Sequence, residues 1–85
     1  MKEKIKTLNE AVVDRLYKYM EEKKLSQYKL AQLSGVPFAT VKSIMQKRTK
    51  GITLKTIILL ANGLGISTCD FFNDPSFESE NIYID

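Results

Sequence analysis

Residues 30–44, LAQLSGVPFATVKSI, decide the fold, because their small and apolar positions fit neither one continuous helix nor a strand. Ala31 is followed four positions later by Gly35, while Val41 and Ile44 lie beyond the glycine. Two short helices joined by a tight turn explain this spacing. Ala31 lies where the two helices approach, Gly35 supplies the turn, and Val41 and Ile44 point back into a shared core. The stretch therefore predicts a helix-turn-helix motif, which presents its second helix to the major groove of DNA.

Capping residues and apolar spacing predict further helices on both sides of this motif. Thr7 and Glu10 have the form of a capping box before the first helix, and Ser67 has the form of a cap before a short fifth helix. The fourth helix is apolar nearly all round, which predicts a central position, and Gly63 with Gly65 is expected to end it. The motif occupies about residues 27–46, and the five helices are expected at 9–23, 27–34, 37–46, 54–64 and after Ser67.

The composition describes one small domain and narrows the classes of function. The 85 residues are 44% hydrophobic and include no histidine, so histidine-based metal sites and catalytic triads are excluded. The chain also lacks a nucleophile–base pair, clustered carboxylates and a phosphate-binding glycine loop, so we expect neither an enzyme nor a cofactor. The single cysteine, Cys69, fits a reducing compartment and is expected in the core. No signal-peptide pattern or membrane-length apolar run occurs, so we expect a cytoplasmic protein.

Charge is divided sharply along the chain. Residues 1–22 carry five bases and five acids, residues 23–55 carry eight bases and no acid, and residues 70–85 carry five acids and no base. Together these segments give the net charge of +3. A basic block without a carboxylate indicates a polyanionic partner. The alternative is a solvated surface with chance segregation of charge, and charge alone does not decide between the two.

From Leu16 to Phe72 the sequence resembles the phage-repressor type of helix-turn-helix domain, also called Xre-like or lambda-repressor-like. The resemblance implies a compact all-α DNA-binding domain of five helices over residues 1–72, followed by a short acidic C-terminal tail over residues 73–85. Most members of that family are transcriptional regulators that bind operators as dimers, and a minority are antitoxins or other modules. The resemblance is carried by Leu25-Ser26-Gln27, Leu30-Ala31, Gly35-Val36, Thr40-Val41, Ser43-Ile44, Leu60-Ala61, Leu64-Gly65-Ile66 and Phe71-Phe72.

The resemblance also implies which residues contact DNA. Gln27 opens the second helix, and its amide beside a helix N-terminus suits a phosphate. Lys42 on the recognition helix would reach guanine or a phosphate, whereas Phe38 would contact a thymine methyl group or instead pack against Tyr28. The expected phosphate contacts are Gln27, Lys29, Lys47, Arg48, Thr49 and Lys50, and the expected base contacts are Phe38, Ala39, Thr40, Lys42 and Ser43.

Three residues depart from the family pattern. Lys24 stands where the family often has a glycine. Met20 and Met45 replace an arginine and a glutamate that often form an internal salt bridge, so we expect an apolar contact there instead.

The final residues, NIYID, alternate apolar and polar side chains. We expect them to be disordered unless a partner pairs with them, for example a second copy that exchanges residues 82–84.

Two functions fit these features. The first is a sequence-specific transcriptional regulator, a small repressor that binds a near-palindromic operator in double-stranded DNA as a homodimer. The alternative is a protein-interaction module, such as an antitoxin or repressor antagonist, that uses its acidic tail or fourth helix. The absence of acids from residues 23–55 favours DNA as the partner. A helix that docks a protein would more often expose a broad apolar patch. The dimer contacts are expected at Gly51-Ile52, at Phe71-Phe72 and in the tail.

Overall fold

The structure, a computed structural model, describes residues 6–49 and 51–83, and α-helices make up most of them. They are α1 (Leu8–Lys23), α2 (Gln27–Ser34), α3 (Phe38–Met45), α4 (Leu54–Leu64) and α5 (Thr68–Phe71). The remaining elements are strands β1 (Lys6–Thr7) and β2 (Ile82–Tyr83) and two 3₁₀ turns at Pro75–Phe77 and Ser79–Asn81. The prediction of an all-α fold with five helices is confirmed, and α2 and α4 begin and end at the predicted residues.

Side-chain caps start four of the helices, because the first backbone N–H groups of a helix have no partner within it. Thr7 Oγ1 accepts from the Glu10 N–H at 3.1 Å, and Glu10 Oε1 accepts from the Thr7 N–H at 2.9 Å, which completes the predicted capping box. Ser26, Thr53 and Ser67 accept a backbone hydrogen bond in the same way at the starts of α2, α4 and α5. Local chemistry therefore sets where these helices begin.

Left-handed backbone residues follow four of the helices, and two of these residues are lysines. Gly35 ends α2 with φ of 78°, and Gly65 ends α4 with φ of 76°. Lys24 and Lys47 occupy the equivalent places after α1 and α3, with φ of 56° and 61°. The first turn is thus made by Lys24 without the glycine that is frequent in the resembled family, although a side chain makes this conformation less favourable.

The hydrophobic core lies between the helices, and α4 contributes to it with Ile57, Leu60, Ala61 and Leu64. Gly63 lies inside α4 and does not end it, so that prediction is wrong. A Cβ at Gly63 would lie 2.8 Å from Ser34 Cβ and 2.9 Å from its backbone, so the glycine lets α2 and α4 pack closely.

Three other side chains refine the prediction of the core. Cys69 is exposed, so its expected place in the core is wrong, because the four residues of α5 turn Phe71 inwards instead. Met20 and Met45 are both buried in the same apolar cluster, which suits their replacement of a charged pair. Their direct contact stays a prediction.

The C-terminal segment packs on the helices, so the expectation that the final residues are disordered is wrong for residues 81–83. Ile82 is only 3% exposed, and β2 pairs with β1 in parallel, with Lys6 opposite Ile82 and Thr7 opposite Tyr83. The partner that the alternating residues need is supplied by the beginning of the same chain. The proposed exchange of residues 82–84 falls partly outside the described residues, since Ile84 and Asp85 are not among them.

Arg15 links α1 to α5 and to the C-terminal segment from a buried position. Its Nε donates to the Phe71 carbonyl oxygen at 2.7 Å, and its Nη2 donates to the Asp70 carbonyl oxygen at 2.6 Å. Nη1 lies 3.7 Å from Asp74 Oδ1. Hydrogen bonds from the side chain and backbone of Ser76 lower the pKa of the Asp74 carboxyl, and the charge of Arg15 adds to this effect. The guanidinium thus donates to two carbonyls at the end of α5, of which that of Asp70 also accepts from the Asn73 N–H at 3.1 Å.

Candidate nucleic-acid interface

The helix-turn-helix motif buries one face of α2 and α3 and leaves the other accessible. Ala31, Val41 and Ile44 are buried, and Gly35 has the left-handed backbone that the turn needs. The side chains expected to read bases all lie on α3. Phe38, Ala39 and Lys42 are exposed, and Thr40 and Ser43 are half-buried.

Phe38 packs against Tyr28 and remains partly accessible. The two rings meet edge to face, with centroids 5.8 Å apart and an interplanar angle of 71°. Tyr28 is nevertheless 59% exposed and Phe38 43% exposed. In the free protein Phe38 therefore packs on Tyr28, which is one of the two predicted alternatives. Its ring still exposes apolar surface at the start of α3.

The start of α2 has the features of an anion site. Gln27 is the first residue of the helix and is half-buried, while Lys29 is exposed. The first turns of α2 and α3 contain no acidic residue. Because the N-terminal end of a helix carries partial positive charge, both helix starts favour a phosphate.

The basic loop after α3 has a defined backbone. The Lys47 N–H donates to the Ile44 carbonyl oxygen and the Arg48 N–H to the Ser43 carbonyl oxygen, each at 2.9 Å, which is a Schellman motif. The Lys47 and Arg48 side chains are exposed, and Thr49 is half-buried. Lys50, the last of the expected phosphate contacts, lies outside the described residues.

The first turn of α1 meets this loop. Asn9 Nδ2 donates to the Thr49 carbonyl oxygen at 2.8 Å. Next to it, Glu10 Oε2 lies 4.0 Å from Lys47 Nζ, with both side chains about half exposed. Sequence reasoning identified Glu10 as a helix cap but missed its second partner, because that partner is far away along the chain.

An open apolar groove of about 210 Å³ lies beside the same loop. Leu54 at its edge is 60% exposed, and Ile58, one turn further along α4, is also exposed. Both lie on the accessible face of α4, whereas Ile57, Leu60, Ala61 and Leu64 lie on its buried face. The groove is lined by Leu8, Asn9, Val12, Ile52, Leu54, Ile57 and Phe72.

Two features are absent from the described residues, a cluster of metal ligands and a membrane-spanning helix. Nowhere in 6–49 or 51–83 do three potential metal ligands of the histidine, cysteine or acidic type come together. None of the helices in these ranges has the length and apolarity needed to span a bilayer.

Comparisons with known proteins agree with this geometry. The family model HTH_3, described as helix-turn-helix, matches residues 16–71. The crystal structure of the prophage Lp1 protein 11 is similar to this chain, with a TM-score of 0.73 and 34% sequence identity. The similarity covers 84% of this chain and 93% of that chain. No protein with a curated description matches significantly.

Proposed function

Since the chain belongs to the helix-turn-helix family, as a lambda-repressor-like member, we propose that it is a transcriptional repressor that places α3 in the major groove of its operator. One observation carries the proposal. The accessible face of α3 and the basic loop after it form a surface in a stretch, residues 23–69, that contains no carboxylate. A basic surface of this kind attracts the negatively charged DNA backbone.

The proposed contacts divide into two classes. Gln27 and Lys29 at the start of α2, and the loop after α3, bind phosphates on either side of the groove and fix the position of the protein. The residues of α3 then read the bases between these anchors. The phosphate contacts are Gln27, Lys29, Lys47, Arg48, Thr49 and Lys50, and the base contacts are Phe38, Ala39, Thr40, Lys42 and Ser43.

The first test is a selection of bound sites from random DNA, followed by titrations of the selected operator at several salt concentrations. If each subunit neutralises roughly three to five phosphates, the logarithm of affinity falls with the logarithm of salt concentration by about 0.9 per contact. A nearly flat salt response would contradict binding to DNA.

Two classes of variant test the roles of the residues. Arg48→Ala and Lys50→Ala should weaken binding to all sequences alike, whereas Lys42→Ala and Ser43→Ala should change the selected sequence. Lys18→Ala is the matched control, because its exposed ammonium lies on α1 and pairs with Glu22 at 3.0 Å. Selected sequences that stay the same in both α3 variants would contradict the assignment of base contacts.

We propose a homodimer on a near-palindromic operator as the working unit, because one domain of this size reads too few base pairs to discriminate well. Two copies would set their recognition helices about 34 Å apart, one turn of the duplex. The groove with Ile52 and Phe72, together with Leu54 and Ile58, offers exposed apolar surface for this contact. Phe71 is fully buried, so it is removed from the expected interface.

Sedimentation of the protein–operator complex tests the dimer. We expect two chains per operator for the wild type. The variant Leu54→Glu should lose the second chain in the same measurement. The alternative function, an antitoxin-like module, would use the same apolar surface for another protein. One chain per site, with no preference for symmetric sequences, would overturn the dimer.

A further inference from the structure

The carboxylate of Glu10 faces the basic loop from a fixed position. One of its oxygens, Oε1, is occupied by the Thr7 N–H at 2.9 Å as part of the capping box. The other, Oε2, lies 4.0 Å from the Lys47 ammonium. Because the cap holds the side chain, the carboxylate stays beside a lysine that the proposed function assigns to DNA.

The loop is held against the carboxylate from the other side as well. Asn9 is 6% exposed and donates to the Thr49 carbonyl oxygen, which joins α1 to the loop two residues after Lys47. The backbone of Lys47 itself is fixed by its Schellman hydrogen bonds and by φ of 61°. These hydrogen bonds keep the backbone of the loop next to the first turn of α1.

We propose that Glu10 competes with the DNA backbone for Lys47 and so holds the operator affinity below its maximum. This inference rests on the proposed function. A phosphate must take the ammonium from an ion pair that already exists in the free protein, and the remaining carboxylate then lies close to the bound duplex. The effect makes the complex easier to dissociate and is weakened by salt, because the pair is about half exposed.

The variant Glu10→Gln isolates the charge, because glutamine also closes a capping box. Thermal unfolding of Glu10→Gln should therefore stay cooperative, with only the small loss of stability that comes from removing the ion pair with Lys47. Operator affinity at low salt should rise by about two- to fivefold, the range expected for an exposed ion pair, and the gain should shrink at high salt. Fluorescence anisotropy with a labelled operator measures both.

A second background tests whether Lys47 carries the effect. Lys47→Gly removes the ammonium and suits the left-handed backbone, so Glu10→Gln should bring little further gain in this background. An equal gain in both backgrounds would mean that Glu10 repels DNA directly and would overturn the competition. An unchanged affinity of Glu10→Gln in the wild-type background would overturn it too. Absence of salt-dependent binding by the wild type would instead overturn the proposed function, and this inference with it.

Discussion

Arg15 lies inside the protein with its guanidinium bonded to the end of α5, whereas Arg48 extends from the loop after α3 with its side chain exposed. They are the two arginines of the sequence. Arg15 directs its donors to two carbonyl oxygens, a tyrosine hydroxyl and the carboxylate of Asp74. Among residues 6–49 and 51–83, the side chain of Arg48 forms no hydrogen bond or ion pair. The contrast teaches that the environment, and not the residue type, separates an arginine that holds the fold from one that is available to a phosphate.

Two lysines with left-handed backbones extend this contrast. Lys24 and Lys47 both end a helix at a place where glycine is more favourable, so each makes the fold slightly less stable. Only Lys47 belongs to the loop of Arg48. We therefore expect the side chain of Lys47 to offset this loss of stability by binding DNA, whereas the side chain of Lys24 makes no such contribution.

The largest expected effect is that of Arg15→Lys. Lysine cannot donate to the Phe71 and Asp70 carbonyl oxygens together, so at least one of them loses the donor that Arg15 supplies. We expect the free energy of unfolding to fall by about 2–4 kcal/mol, measured by chemical denaturation. The matched control, Arg48→Lys, should stay within about 0.5 kcal/mol of wild type. Equal losses in the two variants would remove the distinction between the arginines.

A smaller effect of opposite sign is expected for Lys24→Gly and Lys47→Gly. Each should raise the free energy of unfolding by about 0.5–1 kcal/mol, because glycine adopts a positive φ without steric cost. Operator affinity should fall for Lys47→Gly and remain unchanged for Lys24→Gly, as anisotropy titrations would show. A loss of affinity in both variants would place the first turn in the DNA interface as well.

The smallest effect concerns Asp74, the carboxylate partner of Arg15. Hydrogen bonds from Ser76, with a contribution from Arg15, lower the pKa of Asp74 below its ordinary value of 3.8. The carboxylate therefore stabilises the fold above pH 3.8, and this contribution is lost as the pH falls through the lower pKa of the folded state. Asp74→Asn should be less stable than wild type at neutral pH, and the difference should shrink in acid. Glu80→Gln, an exposed carboxylate of the same segment, is the control for denaturation at both pH values.

Local signals made much of the fold predictable. Ser26 and Gly35 bracket α2, and Thr53 and Gly65 bracket α4, so these helices have the predicted bounds. Each signal acts within a few residues of itself. The same is true of the capping box, although the contact of Glu10 with Lys47 depends on how α1 packs and was not predictable.

The features that sequence reasoning missed all depend on distant parts of the chain. Arg15 reads as a charged residue on a helix, and only the position of α5, 55 or 56 residues later, reveals its acceptors. Gly63 resembles a helix end until Ser34 is placed against it. In the candidate interface, the sequence identified which side chains lie on α3, and their roles toward DNA stay predictions until binding is measured.

The pairing of β1 with β2 has a consequence for the order in which the protein is built. Lys6 can pair with Ile82 only after the ribosome has added a further 76 residues. At a synthesis rate of roughly 5–20 residues per second, that delay is about 4–15 s. The contacts between α2 and α3 are local and can form during this interval. Because α3 is complete at Met45, 37 residues before Ile82, the recognition motif is synthesised about 2–7 s before the beginning of α1 gains its strand partner.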